Sequence, residues 1–274
     1  MKEVGETSLA ENPTDPTPYA ATYQSAHQLW QLSPDRYQRF QTWSRQQGCT
    51  PFMTLLAGFC LLLHRWSQTP DLMVGISVAG QGKPDWSRLV AHSVNVLPVH
   101  SQLQPEQPVV TYLHHIRHRL LGCYDHADYS LSQWMRWAQG NGWRSPTPLQ
   151  PLVPVLFNLD PSLAVPDFQG LTVAAMPQPP AYGRWNLTWH LSEAEGGLHL
   201  TAVYRTALFE EEAIAAWIAE YDALLTLMLE QSNASVQALN RALDDALIAQ
   251  TQQLQHTLTV RNRQKLEVAN RRQP

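Results

Sequence analysis

The sequence predicts a mixed α/β architecture, with helices flanking a mixed sheet in packed layers and a helical tail at the C-terminus. Three observations carry this reading. Phe52 to Trp66 is apolar nearly all round, the pattern of a helix buried on several sides. Leu72 to Ala79 (LMVGISVA) is a continuous apolar run with β-branched residues, the pattern of an interior strand. Trp185 to Tyr204 alternates apolar and polar residues on either side of Glu195-Gly196-Gly197, the pattern of an antiparallel hairpin.

Taken in order, residues 1 to 25 read as an extended lead-in, because Pro13, Pro16 and Pro18 among Thr and Asp prevent a regular element. Ser33 is placed to cap a first helix with Pro34 at its first position, and Gly48 closes it. Tyr37, Phe40 and Trp43 form its apolar stripe, while Arg36, Arg39 and Arg45 face water. Thr50-Pro51 repeats the start signal for the buried helix, and Asp71 leads into the interior strand. Gly80, Gly82 and Pro84 end that strand in a loop with a short helical link, and SVNVLPVH (Ser93 to His100) reads as the next strand.

Glu106 to Tyr124 is helical, with Val109, Leu113, Ile116 and Leu120 on one face. A short helix at Leu131 to Ala138 follows, then a loop from Gly140 to Pro151. Leu152 to Leu159 and Leu171 to Met176 are read as strands ahead of the hairpin. The helix from Glu210 to Glu230 carries acids in its first turn and the stripe Ile214, Trp217, Ile218, Tyr221, Leu225 and Met228. Beyond Ser232 the composition shifts to Gln, Ala and Leu and ends in RNRQKLEVANRRQP. This stretch is read as a helix that fits no core of its own. The expected division is a lead-in at 1–25, one lobe at 26–232 and a basic helical tail at 233–274, with no internal repeat.

Composition narrows the function. At 274 residues the chain is long enough to bury a substantial core, and its net charge of −4 supplies no electrostatic reason to propose nucleic acid as a partner. The N-terminus has no apolar stretch of the signal-peptide kind, and the longest apolar run, Met53 to Leu63, is too short for a membrane span. No membrane partner is expected. Cys49, Cys60 and Cys123 form no CxxC pair, so reduced thiols in a cytoplasmic protein are expected, with Cys60 in the core. The sequons at Asn186 and Asn233 then carry no glycan.

Catalytic motifs are wanting. His114 and His118 stand four apart on a helix, the ligand spacing of a zinc peptidase, but His115 occupies the place of the catalytic Glu and no third ligand follows. The three histidines are read as a solvated helix face, with no metal expected. His114-His115 also begins an HHxxxDG-like string, which fails because Arg119 and Leu120 replace the Asp and Gly. Ser77 in GISVAG lacks the strand–turn geometry of a nucleophile elbow and is read as a strand serine. Trp134 and Trp137 are read as core or interface residues.

Six segments in order nevertheless resemble one family. TPFMTLLAGFCLLLHRW looks like the Thr-Pro-Phe helix of nonribosomal peptide synthetase condensation domains, of the chloramphenicol-acetyltransferase-like, CoA-dependent acyltransferase superfamily. DLMVGISVAGQ is similar to that family's Gly-x-Pro-Val-Ala-Gly-Arg strand and turn, and LVAHSVNVLPVH to its Val-Gly-x-Phe-Val-Asn-Thr-Leu-Pro-Leu-Arg strand. YDHADYSLSQW resembles Tyr-x-His-Gln-x-Tyr-Pro-Phe, and LVPVLFNLD resembles Phe-Gln-Val-x-Phe-Asn. NLTWHL with VYRTALFEEEAI is similar to the last hairpin and helix. Departures stand at Gln81, Ala91, His100 and Ser130, where the family has Arg, Gly, Arg and Pro.

The resemblance implies a single lobe of a two-lobed fold, the C-terminal one, beginning where the linker between lobes would lie. It implies that HHxxxDG belongs to the N-terminal lobe, so that no catalytic residue is expected in this chain. Asn95 matches an Asn of the substrate channel, where its amide is expected to hydrogen-bond substrate or a tetrahedral intermediate, with Gly75, Ser77 and Gly80 beside it in supporting positions. No cofactor is expected to be bound, phosphopantetheine being presented by partner carrier proteins. The expected partners are an N-terminal condensation lobe or another synthetase subunit, and carrier proteins. Gly140 to Pro151 is the candidate for the segment that crosses between lobes. The function implied is amide bond formation between carrier-tethered acyl and aminoacyl groups. The alternative is a non-catalytic module that binds a carrier protein or synthetase subunit through the tail from Ser235. A self-sufficient acyltransferase ranks third, for want of a general base.

Overall fold

The structure is a computed structural model that describes residues 23–79, 90, 93–142, 153–160, 169–171, 181–194 and 197–270, with side chains of the last helix described as far as residue 253. In chain order the elements are β1 (Ser25–Leu32), α1 (Pro34–Gln46), α2 (Pro51–Ser67), β2 (Asp71–Ala79), β3 (Val94–Gln102), α3 (Val109–Asp125), α4 (Leu131–Gly140), β4 (Val155–Asp160), β5 (Leu187–Ala194), β6 (Gly197–Arg205), α5 (Glu211–Glu230) and α6 (Val236–Asn270). The strands form one six-stranded sheet in the order β1-β6-β5-β4-β2-β3. Strand β4 runs parallel to both its neighbours, and the remaining pairs are antiparallel, so the sheet is mixed as expected.

The alternation of each strand sorts its residues between two faces. Ile76 and Val74 of β2, Leu97 and Val99 of β3, Phe157 of β4, Trp189 and Leu191 of β5, and Leu198 and Leu200 of β6 meet the helices and are buried. At the centre Phe59 of α2 stacks on Phe157 at 5.2 Å between ring centroids and packs at 4.6 Å against Trp189. Eleven residues of α2 are buried, which explains why its sequence is apolar on every side. Burial of one such Leu or Phe side chain is worth about 1.5–3 kcal/mol. Cys60 lies here, fully buried, and loss of solvation pushes its thiol up to about 12.

Local signals hold at the helix starts. The Thr50 hydroxyl accepts from the Met53 amide at 3.2 Å, with Pro51 in the first turn, and Pro34 opens α1 after Ser33, whose side chain makes no cap bond. Gly48 follows α1 with φ of 65°. Gly197 pairs with Ala194 across the hairpin, and a Cβ there would come within 2.8 Å of the Leu32 carbonyl, so only glycine fits beside β1.

One element is added and one expectation is corrected. The sequence reading assigns no element to the residues between the lead-in and the helix at Ser33. Residues Ser25–Leu32 form edge strand β1, paired along its whole length with β6. The C-terminal helix is present, but it does not lie outside the core. Val236, Leu239 and Leu243 are buried, the Val236 amide donates to the Gln107 carbonyl at 3.0 Å, and Arg65 of α2 pairs with Asp244. The strand expected at Leu152 starts at Val155. Gly80, Gln81, Ala91, the helical link before β3, most of Gly140 to Pro151 and all but Leu171 of the strand expected at Leu171 to Met176 lie outside the described residues. Among the described residues no single helix is long and apolar enough to cross a membrane.

Candidate functional site

The expected site residues fall in two places. Gly75 and Ser77 lie on the sheet face opposite the helices, since Val74 and Ile76, which alternate with them, face the core. Asn95 lies on the helix side, because it pairs with Val78, which packs against the core. The structure therefore does not bring Asn95 and Ser77 together on one surface.

Asn95 is committed to the chain itself. Its Nδ2 donates to the Ala127 carbonyl at 3.0 Å and to the Tyr129 carbonyl at 2.8 Å. Its Oδ1 accepts from the Val96 amide at 2.9 Å and the Leu131 amide at 3.4 Å. These bonds fill both donors and both lone pairs of a carboxamide. In this structure the amide ties β3 to the loop between α3 and α4. The loop then turns into α4 through a capping box, with the Ser130 hydroxyl accepting from the Gln133 amide and the Gln133 side chain accepting from the Ser130 amide.

One of these bonds, with two features of Pro98, also blunts the outer edge of β3, the last strand of the described sheet. The Val96 amide is taken by Asn95, Pro98 has no N–H, and the Pro98 carbonyl accepts from the Cys123 thiol at 3.4 Å. An edge so occupied offers little to an added strand.

Gly75 is held small by its neighbours. A Cβ there would sit 2.6 Å from Val153 Cγ1 and 3.0 Å from Val96 Cγ1. Ser77, two residues on, stands partly buried on the same face. Farther along, Asn158 and Asp160 of β4 pair with His190 and Ser192 of β5 and complete a polar cluster there. The Asn158 amide donates to Asp160 Oδ1 at 2.6 Å, and Asp160 Oδ2 stands 4.0 Å from Nδ1 of His190. Burial lowers the His190 pKa, and the Asp160 charge partly opposes it. An imidazole beside a carboxylate is chemically able to accept a proton.

Sequence reasoning missed this cluster and one other. In the core, Nδ1 of His64 donates to the Thr69 carbonyl at 2.6 Å, which leaves Nε2 to accept from the Ser101 hydroxyl at 2.9 Å. Ser101 in turn accepts from the Tyr112 hydroxyl at 2.6 Å. Ser101 and Tyr112 are fully buried, so this chain of bonds joins α2, β3 and α3 and is closed to substrate. The signal was the lone His64 ending an otherwise apolar run. His114 and His118 lie exposed on α3, and among the described residues no group of three ligating side chains is set to hold a metal. Trp137 is 63% exposed, so it is not a core residue.

The condensation-domain family model matches residues 2–250. The chain belongs to the condensation-domain family. It is 26% identical over 239 residues to tyrocidine synthase 2 of Brevibacillus parabrevis, covering 86% of this chain and 7% of that protein. It is 26% identical over 243 residues to surfactin synthase subunit 1 of Bacillus subtilis (strain 168), covering 88% of this chain and 7% of the relative. The chain thus spans a small part of the synthetases it matches. Among solved structures, the condensation domain from the Monacolin K polyketide synthase MokA has the same fold, with a TM-score of 0.67 at 16% identity. That match covers 82% of this chain and 51% of the solved one, so this condensation-domain chain spans about half of its structural relative.

Proposed function

We propose that this chain is the C-terminal half of a condensation unit that forms amide bonds between carrier-tethered substrates in nonribosomal peptide biosynthesis. One observation carries the reading: the family model matches nearly the whole chain, yet the chain spans 51% of a solved condensation domain. The other half is an N-terminal lobe bearing HHxxxDG, on a partner polypeptide or elsewhere in a longer one.

In this reaction the amine on the acceptor carrier's phosphopantetheine attacks the thioester carbonyl of the donor. The amide bond forms, the donor thiol leaves, and the amine gives up its proton, which the second His of HHxxxDG takes. This chain binds no cofactor and supplies one wall of the channel. The sheet face bearing Ser77 and His190 lines it, Gly75 keeps that wall close-packed, and Asn95 acts as a positioning residue that holds the neighbouring loop.

Co-expression with an HHxxxDG lobe tests the assignment. The two should co-elute as a 1:1 complex, and failure to associate would reject the split arrangement. Association without amide formation, under conditions where a complete condensation domain turns over, would favour a non-catalytic module that docks a carrier protein or another synthetase component.

A further inference from the structure

A groove of about 700 Å³ lies between β3, α3 and α4, apart from the sheet face described above. Leu97 and Pro98 contribute from β3, and Arg119 and Cys123 from α3. Tyr129, Trp134 and Trp137 give it an aromatic side. Its size falls within the range of about 300–1,000 Å³ usual for small-molecule sites. Its aromatic side is exposed: Tyr129 is 62% and Trp137 63% open to solvent. The two indoles stand 6.4 Å apart and tilted, a surface suited to a flat or extended apolar body.

Arg119 gives the lining its charge. Arg119 and the imidazoles of His100, His118 and His126 line the groove, and among the described residues no carboxylate does. Asp71 engages His100 at 2.9 Å and is not among the lining residues. Arg119 directs its Nε–H to His115 at 3.5 Å, and a guanidinium has four further N–H donors in a planar fork that matches a carboxylate. The backbone that carries the aromatic side chains is held by the Asn95 bonds to the loop and by the Ser130–Gln133 capping box. The blunted edge of β3 argues against a peptide that adds as a strand.

We propose that this groove binds a small amphiphilic carboxylate, an aromatic or medium-chain acyl acid, with the carboxylate on Arg119 and the apolar body against Trp134 and Trp137. The site needs neither a second lobe nor a carrier protein, so it stands or falls independently of the condensation reading.

Isothermal titration of the purified full chain with 2-naphthoate and with decanoate tests it, with 2-naphthylmethanol as the neutral counterpart. At least one acid should bind saturably at one site and change tryptophan emission. Arg119→Gln should weaken the acid about tenfold and leave the neutral compound unchanged. Trp137→Ala should weaken both. Bound acid should also slow alkylation of Cys123 by iodoacetamide, a readout that needs no variant. The proposal is overturned by the absence of saturable binding up to roughly millimolar acid, by unchanged affinity in Arg119→Gln, or by unprotected Cys123. It is equally overturned if the free chain dimerises through Trp137, which would make a second copy the occupant.

Discussion

The Asn95 amide donates to the Tyr129 carbonyl at 2.8 Å, across 34 residues of sequence, and so fastens the edge strand β3 to the loop that launches α4. A residue matched to a substrate-channel position by resemblance is therefore a structural clamp in this chain. Loss of a net hydrogen bond costs about 0.5–1.5 kcal/mol, and more when a partner is left unsatisfied. Asn95→Ala should lower stability by roughly 2–3 kcal/mol in urea denaturation and speed amide exchange at Val96 and Leu131. Unchanged exchange there would show that the clamp does not hold the loop.

Gly75 sits where a methyl group would meet Val153 Cγ1 at 2.6 Å. Gly75→Ala should destabilise by about 1–3 kcal/mol through overpacking. The companion Gly75→Ala/Val153→Ala should recover part of that loss, as read from the shift in denaturation midpoint.

His64 links acid sensitivity to the core. Burial lowers its pKa from 6.5, with His100 acting in the same sense and the Thr69 carbonyl and Asp71 opposing. The folded state therefore binds fewer protons than the unfolded state between the lowered value and 6.5. Stability is complete above about 6.5 and falls as pH drops toward and through the folded value. His115 and His190 shift in the same direction, so the comparison must be made with a variant. His64→Gln should be less stable than the parent at about pH 7 but lose less on acidification to about pH 5. Parallel stability curves for the two proteins would contradict this.

The first turns of α6 belong to the lobe. Leu239→Ala and Leu243→Ala should each cost about 2–5 kcal/mol, since both side chains are fully buried. Ile248→Ala, at a position 56% exposed, should be nearly silent in the same thermal melts.

These residues also show why parts of the fold escaped the sequence. Strand β1 places Ala26, Gln28, Trp30 and Leu32 on its inner face, and Gln28 breaks the alternation that would have marked it. Its partner β6 lies at the far end of the sheet-forming sequence, beyond the reach of local patterning. In α6 the spacing of Val236, Leu239, Leu243 and Leu247 is a regular helical stripe, obscured by a polar, Gln-rich surround. The interior strand, the buried helix and the hairpin were legible because each is patterned over its own length. The Asn95 clamp was not, since its partners are backbone groups, which leave no mark on side-chain identity. The pairing of Asp160 with His190 was hidden likewise, because it depends on parallel register between two strands separated in sequence.

The central claim is that this chain makes peptide bonds only as half of a two-lobed unit. Its most direct test is the mass of the acceptor carrier protein after incubation with a loaded donor carrier, this chain and an HHxxxDG lobe. The account predicts that the acceptor gains the donor acyl group only when both chains are present. Transfer by this chain alone, or none by a co-eluting pair in which the HHxxxDG lobe is known to work with its native partner, would contradict it.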